Sequence, residues 1–159
     1  MGSYLNPGGG LFSNCRRSKI YVDKSGLIAK TNELLGTEQR FICVSRPRRF
    51  GKSMAANMLA AYYGRGEGTE ELFSDLCISQ DKSFREHLNQ YDVIRINMQE
   101  FLSYASDMDE MLSVLQKRLI RELKMQYPEY VDGDYLMFAM KDVFSYTKHP
   151  FVILIDEWD

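Results

Sequence analysis

Residues 43–59, CVSRPRRFGKSMAANML, decide how this chain is read. The run Arg40–Ser45, RFICVS, has the length and apolar continuity of a strand buried on both faces. From Lys52 onward, KSMAANMLAAYYG is rich in helix formers and stops at Gly64. Strand, loop and helix therefore follow in that order, with Gly51-Lys52-Ser53 at the corner. A helix that starts there points its unpaired N–H groups and the positive end of its dipole at the preceding loop, where an anion is stabilised. Gly51 permits close approach of backbone to a phosphate, Lys52 reaches terminal phosphates as a point charge, and the Ser53 hydroxyl suits magnesium.

The loop departs from the usual glycine-rich pattern at its front. Arg46 stands where the first glycine is expected, and Pro47 biases Arg46 to an extended conformation while removing one amide donor. Arg48 and Arg49 can offset that donor, because guanidinium groups make charge-assisted and often bidentate bonds to phosphate. Magnitudes show why more than a helix end is needed. A helix N-terminus supplies roughly 0.3–1 kcal/mol, about 2 at best, whereas micromolar binding needs about 8 kcal/mol. Lysine, amides, metal and arginines must supply the rest.

By chance, Gly-Lys-Ser or Gly-Lys-Thr turns up in roughly one chain in ten of this length, so a second element has to decide. Residues 151–159, FVILIDEWD, place Asp156 and Glu157 directly after a strongly β-prone run, Phe151–Ile155. The carboxyl end of a parallel strand is where open α/β sheets bind ligands. Asp156 there is suited to hold magnesium, directly or through water, and Glu157 to orient and polarise an attacking water. A phosphate corner and a metal carboxylate each make the other more credible.

Between these ends the chain alternates. A short extended stretch at Ile20–Val22 leads to a helix with apolar Leu27, Ile28, Leu34 and Leu35, capped by Asp23 or Ser25 and closed by Gly36. After a turn region at 64–73 and a short helix near Phe84–Leu88, Val93 and Ile94 begin another strand. An amphipathic helix with Met111, Leu112, Leu115, Leu119 and Leu123 on one face ends at Pro128, and a further helix spans about Tyr135–Tyr146. This alternation predicts a parallel sheet with helices on its faces.

Composition adds exclusions. At 159 residues and 45% hydrophobic, the chain suits one globular domain. Twenty Lys and Arg against 22 Asp and Glu give a net charge of −2, with no global pull on nucleic acid or anionic membrane. No secretory signal or membrane span is read, so a cytoplasmic protein with no membrane partner is expected. Cys15, Cys43 and Cys77 lack any CxxC spacing and are expected to be buried free thiols; His87 and His149 are isolated, and no zinc site is read.

Taken together, IYVDKSGLI, CVSRPRRFGKSM, MLAAYYG, ELFSDLCIS and VILIDEWD resemble, in this order and spacing, the bacterial AAA-ATPase-like proteins of the P-loop superfamily. Members of that family often carry a C-terminal nuclease-like domain of the PD-(D/E)XK type. The resemblance runs from about Tyr4 to Asp159; Trp158 stands where tyrosine is expected. It implies a three-layer α/β/α fold with a mainly parallel sheet, incomplete at its C-terminal side, and ATP with Mg2+ as ligands. The absence of an NKxD-type guanine-reading element agrees with ATP. Carried over by residue, Arg46, Pro47, Arg48, Arg49, Phe50, Gly51, Lys52 and Ser53 form the phosphate loop, with Lys52 and Glu157 as catalytic groups and Ser53 and Asp156 at the metal. Tyr21–Lys24 is a candidate for contact with the base, against a plain capped helix start.

The chain ends at Asp159, just past the second motif. The resemblance implies a continuation with a further strand carrying a polar sensor residue, so residues 1–159 are read as the N-terminal part of such a domain, 1–18 as a mobile lead-in, and hydrolysis by this piece alone as weak or absent. Nucleic acid or protein would be contacted through domains outside it. Two alternatives are carried: a P-loop kinase, and a non-catalytic nucleotide-binding or nucleic-acid-contacting remnant using Arg46, Arg48 and Arg49.

Overall fold

The computed structural model describes residues 2–45 and 51–158. It divides into two compact units, Gly8–Gln90 on one side and Met1–Pro7 with Tyr91–Asp159 on the other. Helices and a small parallel sheet together make a mixed α/β protein.

The unit Gly8–Gln90 is helical among its described residues. It contains α1 (Gly10–Arg16), α2 (Gly26–Leu34), α3 (Lys52–Tyr63) and the single turn α4 (Phe84–His87). Its centre is the C-terminal half of α3, where Met58, Leu59, Ala60, Ala61, Tyr62 and Tyr63 are all buried. Small alanines let neighbours approach, and the two tyrosines bring bulk that must also satisfy its hydroxyls. The Tyr63 hydroxyl donates to Asn32 Oδ1 at 2.6 Å and lies 2.6 Å from Thr31 Oγ1, both on α2. The Tyr62 hydroxyl donates to the Phe84 carbonyl at 2.7 Å. Stacked Phe12 and Phe73, with ring centroids 5.0 Å apart, close the other side against Tyr62.

The end of α3 is also closed chemically. Asn89, at φ 55°, donates from Nδ2 to the Gly64 carbonyl at 2.9 Å, and its own N–H donates to the Tyr62 carbonyl at 2.8 Å. Thr69 Oγ1 donates to the Ala61 carbonyl at 2.6 Å. The last carbonyls of the helix, which have no partner within it, are thus satisfied from outside.

The other unit is built on β1 (Asp92–Asn97) and β2 (Phe151–Asp156), paired in parallel with Asp92 opposite Phe151 and Asn97 opposite Asp156. Between them run α5 (Met98–Leu102), α6 (Met108–Gln126) and α7 (Leu136–Thr147). Asp107 caps α6 by accepting the Glu110 N–H at 2.8 Å. Met111, Leu119 and Leu123 of α6 pack with Val143 of α7 and with Ile94 and Ile96 of β1 in one core, while Leu112 is exposed. On the edge of β1 away from β2, the Arg95 N–H donates to the Tyr4 carbonyl at 2.8 Å and the Asn6 N–H to the Val93 carbonyl at 2.7 Å.

Several expectations are corrected. Residues 41–45 form no strand: Phe41 is 84% exposed and Cys43 is exposed, because no strand among the described residues offers them a hydrogen-bonding ladder. With β1 and β2 as the strands among the described residues, helices do not alternate with strands throughout. The thiols are not buried either; Cys77 is exposed and Cys15 half-buried. Near the N-terminus, Leu5 and Phe12 are each 1% exposed, and Glu122 on α6 accepts the N–H groups of Ser3, Tyr4 and Leu5 at 2.8, 2.9 and 2.7 Å. Three small additions were not expected: α1, α5, and a 3-10 turn at Cys77–Gln80.

Replacing Glu122 with Gln leaves one good acceptor for three donors. Because hydrogen bonds to a charged group contribute roughly 1.5–3 kcal/mol, Glu122→Gln is expected to lower the unfolding free energy by about 2 kcal/mol in urea titration and to speed amide exchange at Tyr4 and Leu5.

Candidate functional site

Of the expected phosphate loop, Gly51, Lys52 and Ser53 are described, at the start of α3. Gly51 sits at φ 83° and ψ 24°, the left-handed region, and its carbonyl accepts the Ala55 N–H at 2.9 Å, so it opens the helix. A Cβ there would lie 3.0 Å from Lys24 Nζ. Glycine is therefore required by the backbone angle, and a second cation stands beside the opening of the helix. Lys52 is half-buried and Ser53 exposed in the first turn. Arg46, Pro47, Arg48, Arg49 and Phe50 lie outside the described residues.

The segment Tyr21–Lys24, a candidate base contact, has a structural task for two of its members. Asp23 accepts the Ser25 N–H and the Cys77 N–H, each at 2.8 Å, tying the start of α2 to the turn at Cys77–Gln80. Ser25 occupies the capping position but makes no cap; its Oγ accepts the Ile78 N–H at 3.2 Å instead. Tyr21 carries the Arg16 guanidinium 4.6 Å from its ring centre. Burial pushes the Asp23 carboxyl up, but the bonds from Ser25 and Cys77 outweigh it and hold the group below its ordinary value.

In the other unit, β2 delivers Asp156 to its carboxyl end. Asp156 is 8% exposed and faces the same side of the sheet as Leu154, the residue paired with Arg95 on β1. This register brings Arg95 Nη2 to 3.5 Å from Asp156 Oδ2. Burial pulls the Arg95 pKa down and the charge of Asp156 partly restores it. Arginine nevertheless stays protonated in proteins. Glu157 is exposed and sits at φ 55°, an uncommon angle for a residue with a Cβ, while its N–H donates to Asp156 Oδ1 at 3.0 Å. This bond ties the Asp156 carboxylate to the backbone just past the strand.

Arg95 was not among the expected residues. Its signal is present in DVIRIN, a cation interrupting an apolar strand, but only the register of β1 against β2 shows which carboxylate it meets. Among the described residues, no three His, Cys, Asp or Glu side chains gather as a cage for a metal. Magnesium binds through one or two carboxylates with waters and substrate phosphates rather than an all-protein cage, so the Asp156 carboxylate at the end of β2 is a donor of the kind it takes. A cleft of about 1000 Å³ in this unit, lined by Tyr4, Glu100, Tyr104, Arg118 and Arg121 among others, contains none of the expected site residues. Within it, burial and the hydrogen bond to Glu100 push the Tyr4 phenol up to about 12.

A family profile described as Predicted AAA-ATPase (AAA-ATPase-like) matches residues 11–159. The chain belongs to this family, whose description carries a nucleotide-binding function of the ATPase kind. No curated protein and no solved structure matches it significantly. No helix among the described residues is long and apolar enough to cross a membrane.

Two outcomes follow from this geometry. A left-handed angle costs a residue with a Cβ roughly 1–2 kcal/mol, so Gly51→Ala is expected to lower the unfolding free energy by about that amount, read by thermal or urea unfolding. A carboxyl lowered in the folded state stabilises above its unfolded pKa and loses that contribution as pH falls through the folded value. The stability difference between the native chain and Asp23→Asn is therefore expected to be constant above about pH 5 and to shrink as acid is added below the ordinary value of 3.8.

Proposed function

We propose that the chain is an ATP-binding module of a P-loop ATPase with a three-layer α/β/α architecture. The observation that carries the proposal is the left-handed Gly51 opening the twelve-residue α3, with Lys52 and Ser53 in its first turn and Lys24 beside it. Family membership over residues 11–159 supports the same reading.

In this proposal the amides of residues 46–51 and the side chains of Arg46, Arg48 and Arg49 cradle the phosphates, with Pro47 and Phe50 shaping the loop. Lys52 holds the terminal phosphates as a compact charge that follows them during transfer. Ser53 and Asp156 hold magnesium, which when bound neutralises charge on the phosphate oxygens. Glu157 accepts a hydrogen bond from water and orients it in line with the terminal phosphorus. Its exposure allows that contact, and the bond from its N–H to Asp156 Oδ1 ties the Asp156 carboxylate to the Glu157 backbone.

Nucleotide titration with and without magnesium tests the assignment. Lys52→Ala is expected to weaken MgATP binding by at least about tenfold, equivalent to about 1.4 kcal/mol. Glu157→Gln is expected to keep MgATP binding and lose about a hundredfold or more in turnover, the size of a general base contribution. Unchanged hydrolysis by Glu157→Gln removes Glu157 from the role, and unchanged binding by Lys52→Ala removes the phosphate loop.

A further inference from the structure

A buried cation beside a carboxylate assigned to a metal calls for a reason. The Arg95 side chain is 16% exposed and that of Asp156 9%, so their interaction is shielded from bulk water. The contact is long, 3.5 Å from Nη2 to Oδ2, and the buried Arg95 Nη1 has no hydrogen-bond partner among the described residues. A guanidinium kept in the sheet only for stability would be expected to use its fork of donors fully, because an unmade buried bond is costly. Arg95 does not. Its backbone is fixed on both sides, by Tyr4 on one edge of β1 and by Leu154 of β2 on the other, so its placement against Asp156 is imposed by the sheet.

We propose that Arg95 is a positioning residue that holds Asp156 while the site lacks metal and makes binding of a bare divalent cation there weak, so that the cation is taken up together with an anionic phosphate ligand. The inference rests on the reading of Asp156 as a metal carboxylate. Its physical content is competition: a divalent cation at Asp156 must share the carboxylate with a positive charge already 3.5 Å away. Phosphate oxygens arriving with the cation add negative charge and relieve that repulsion. Binding of cation and phosphate is then coupled, each raising the affinity for the other by the same factor.

The test uses Mn2+ as an EPR-visible probe on the full chain at pH 8, with ATP absent or present, alongside thermal unfolding without nucleotide. Arg95→Gln removes the charge at similar length, and Arg95→Lys keeps a charge but loses the fork. Expected results are a gain of about tenfold in affinity for Mn2+ alone in Arg95→Gln, within the usual range of coupling between sites, and a smaller enhancement by ATP than in the native chain. Arg95→Lys should stay within about twofold of the native chain. Metal-free Arg95→Gln should melt lower than the native chain, and Mn2+ should raise its melting temperature by more, because the cation replaces the lost charge.

Mn2+ binding that Asp156→Asn leaves unchanged would overturn the metal assignment, and this inference with it. Loss of Mn2+ binding in Asp156→Asn, with Arg95→Gln equal to the native chain, would overturn the inference alone. If Arg95→Gln does not fold, the Arg95→Lys arm decides: native-like affinity for Mn2+ alone and native-like ATP enhancement support the charge-based role, and a change in either overturns it.

Discussion

Burial of Tyr62 and Tyr63 at the end of α3 is the constraint on which the helical unit depends. Two phenols taken almost completely out of water contribute large apolar area, but only if each hydroxyl finds a partner there. Asn32 and Thr31 on α2 and the carbonyl of Phe84 on α4 are those partners, so α2, α3 and α4 are set against one another by three short hydrogen bonds. The consequence reaches the other end of the same helix. With its C-terminal half buried and its last carbonyls satisfied by Asn89 and Thr69, α3 is anchored at one end and presents Gly51, Lys52 and Ser53 at the other.

The sheet unit works by a comparable division. β1 is held on both edges, by the segment Tyr4–Asn6 and by β2, and Asp92 at its start is fully buried, accepting from Asn6 Nδ2 at 2.9 Å and from the Tyr127 hydroxyl at 2.8 Å. Glu122 gathers three amides of the same N-terminal segment. These polar contacts fix β1, and the in-register pairing then places Asp156 level with Asn97 and next to Arg95. The candidate metal carboxylate thus owes its position to residues distant in sequence.

Much of this was legible beforehand, for identifiable reasons. Lys52–Tyr63 and Met108–Gln126 are long, rich in helix formers and bounded by Gly64 and Pro128, and local preference and tertiary packing agree there. Phe151–Asp156 reads as a strand because it is dense in β-prone residues and is also supplied with a partner. Phe41–Ser45 has similar composition and no partner among the described residues, so it is no strand. A strand is a property of a pair, whereas a helix satisfies its backbone within itself. Shortness hid α1 and α5, and α1 persists because Phe12 stacks on Phe73 rather than because GLFSNCR favours helix.

By itself the sequence determined the chemistry available at each corner: a glycine, lysine and serine at the head of a helix, an aspartate and glutamate at the tail of a strand, and an order of blocks that defines the family. Those follow from residue type and near-neighbour spacing. Only the tertiary structure decided that Lys24 stands beside Gly51, that Asp23 and Ser25 brace a turn more than fifty residues away, and that Arg95 faces Asp156. Each of these depends on packing or on the register between strands, and a shift of one residue in that register would have turned Arg95 to the opposite face of the sheet.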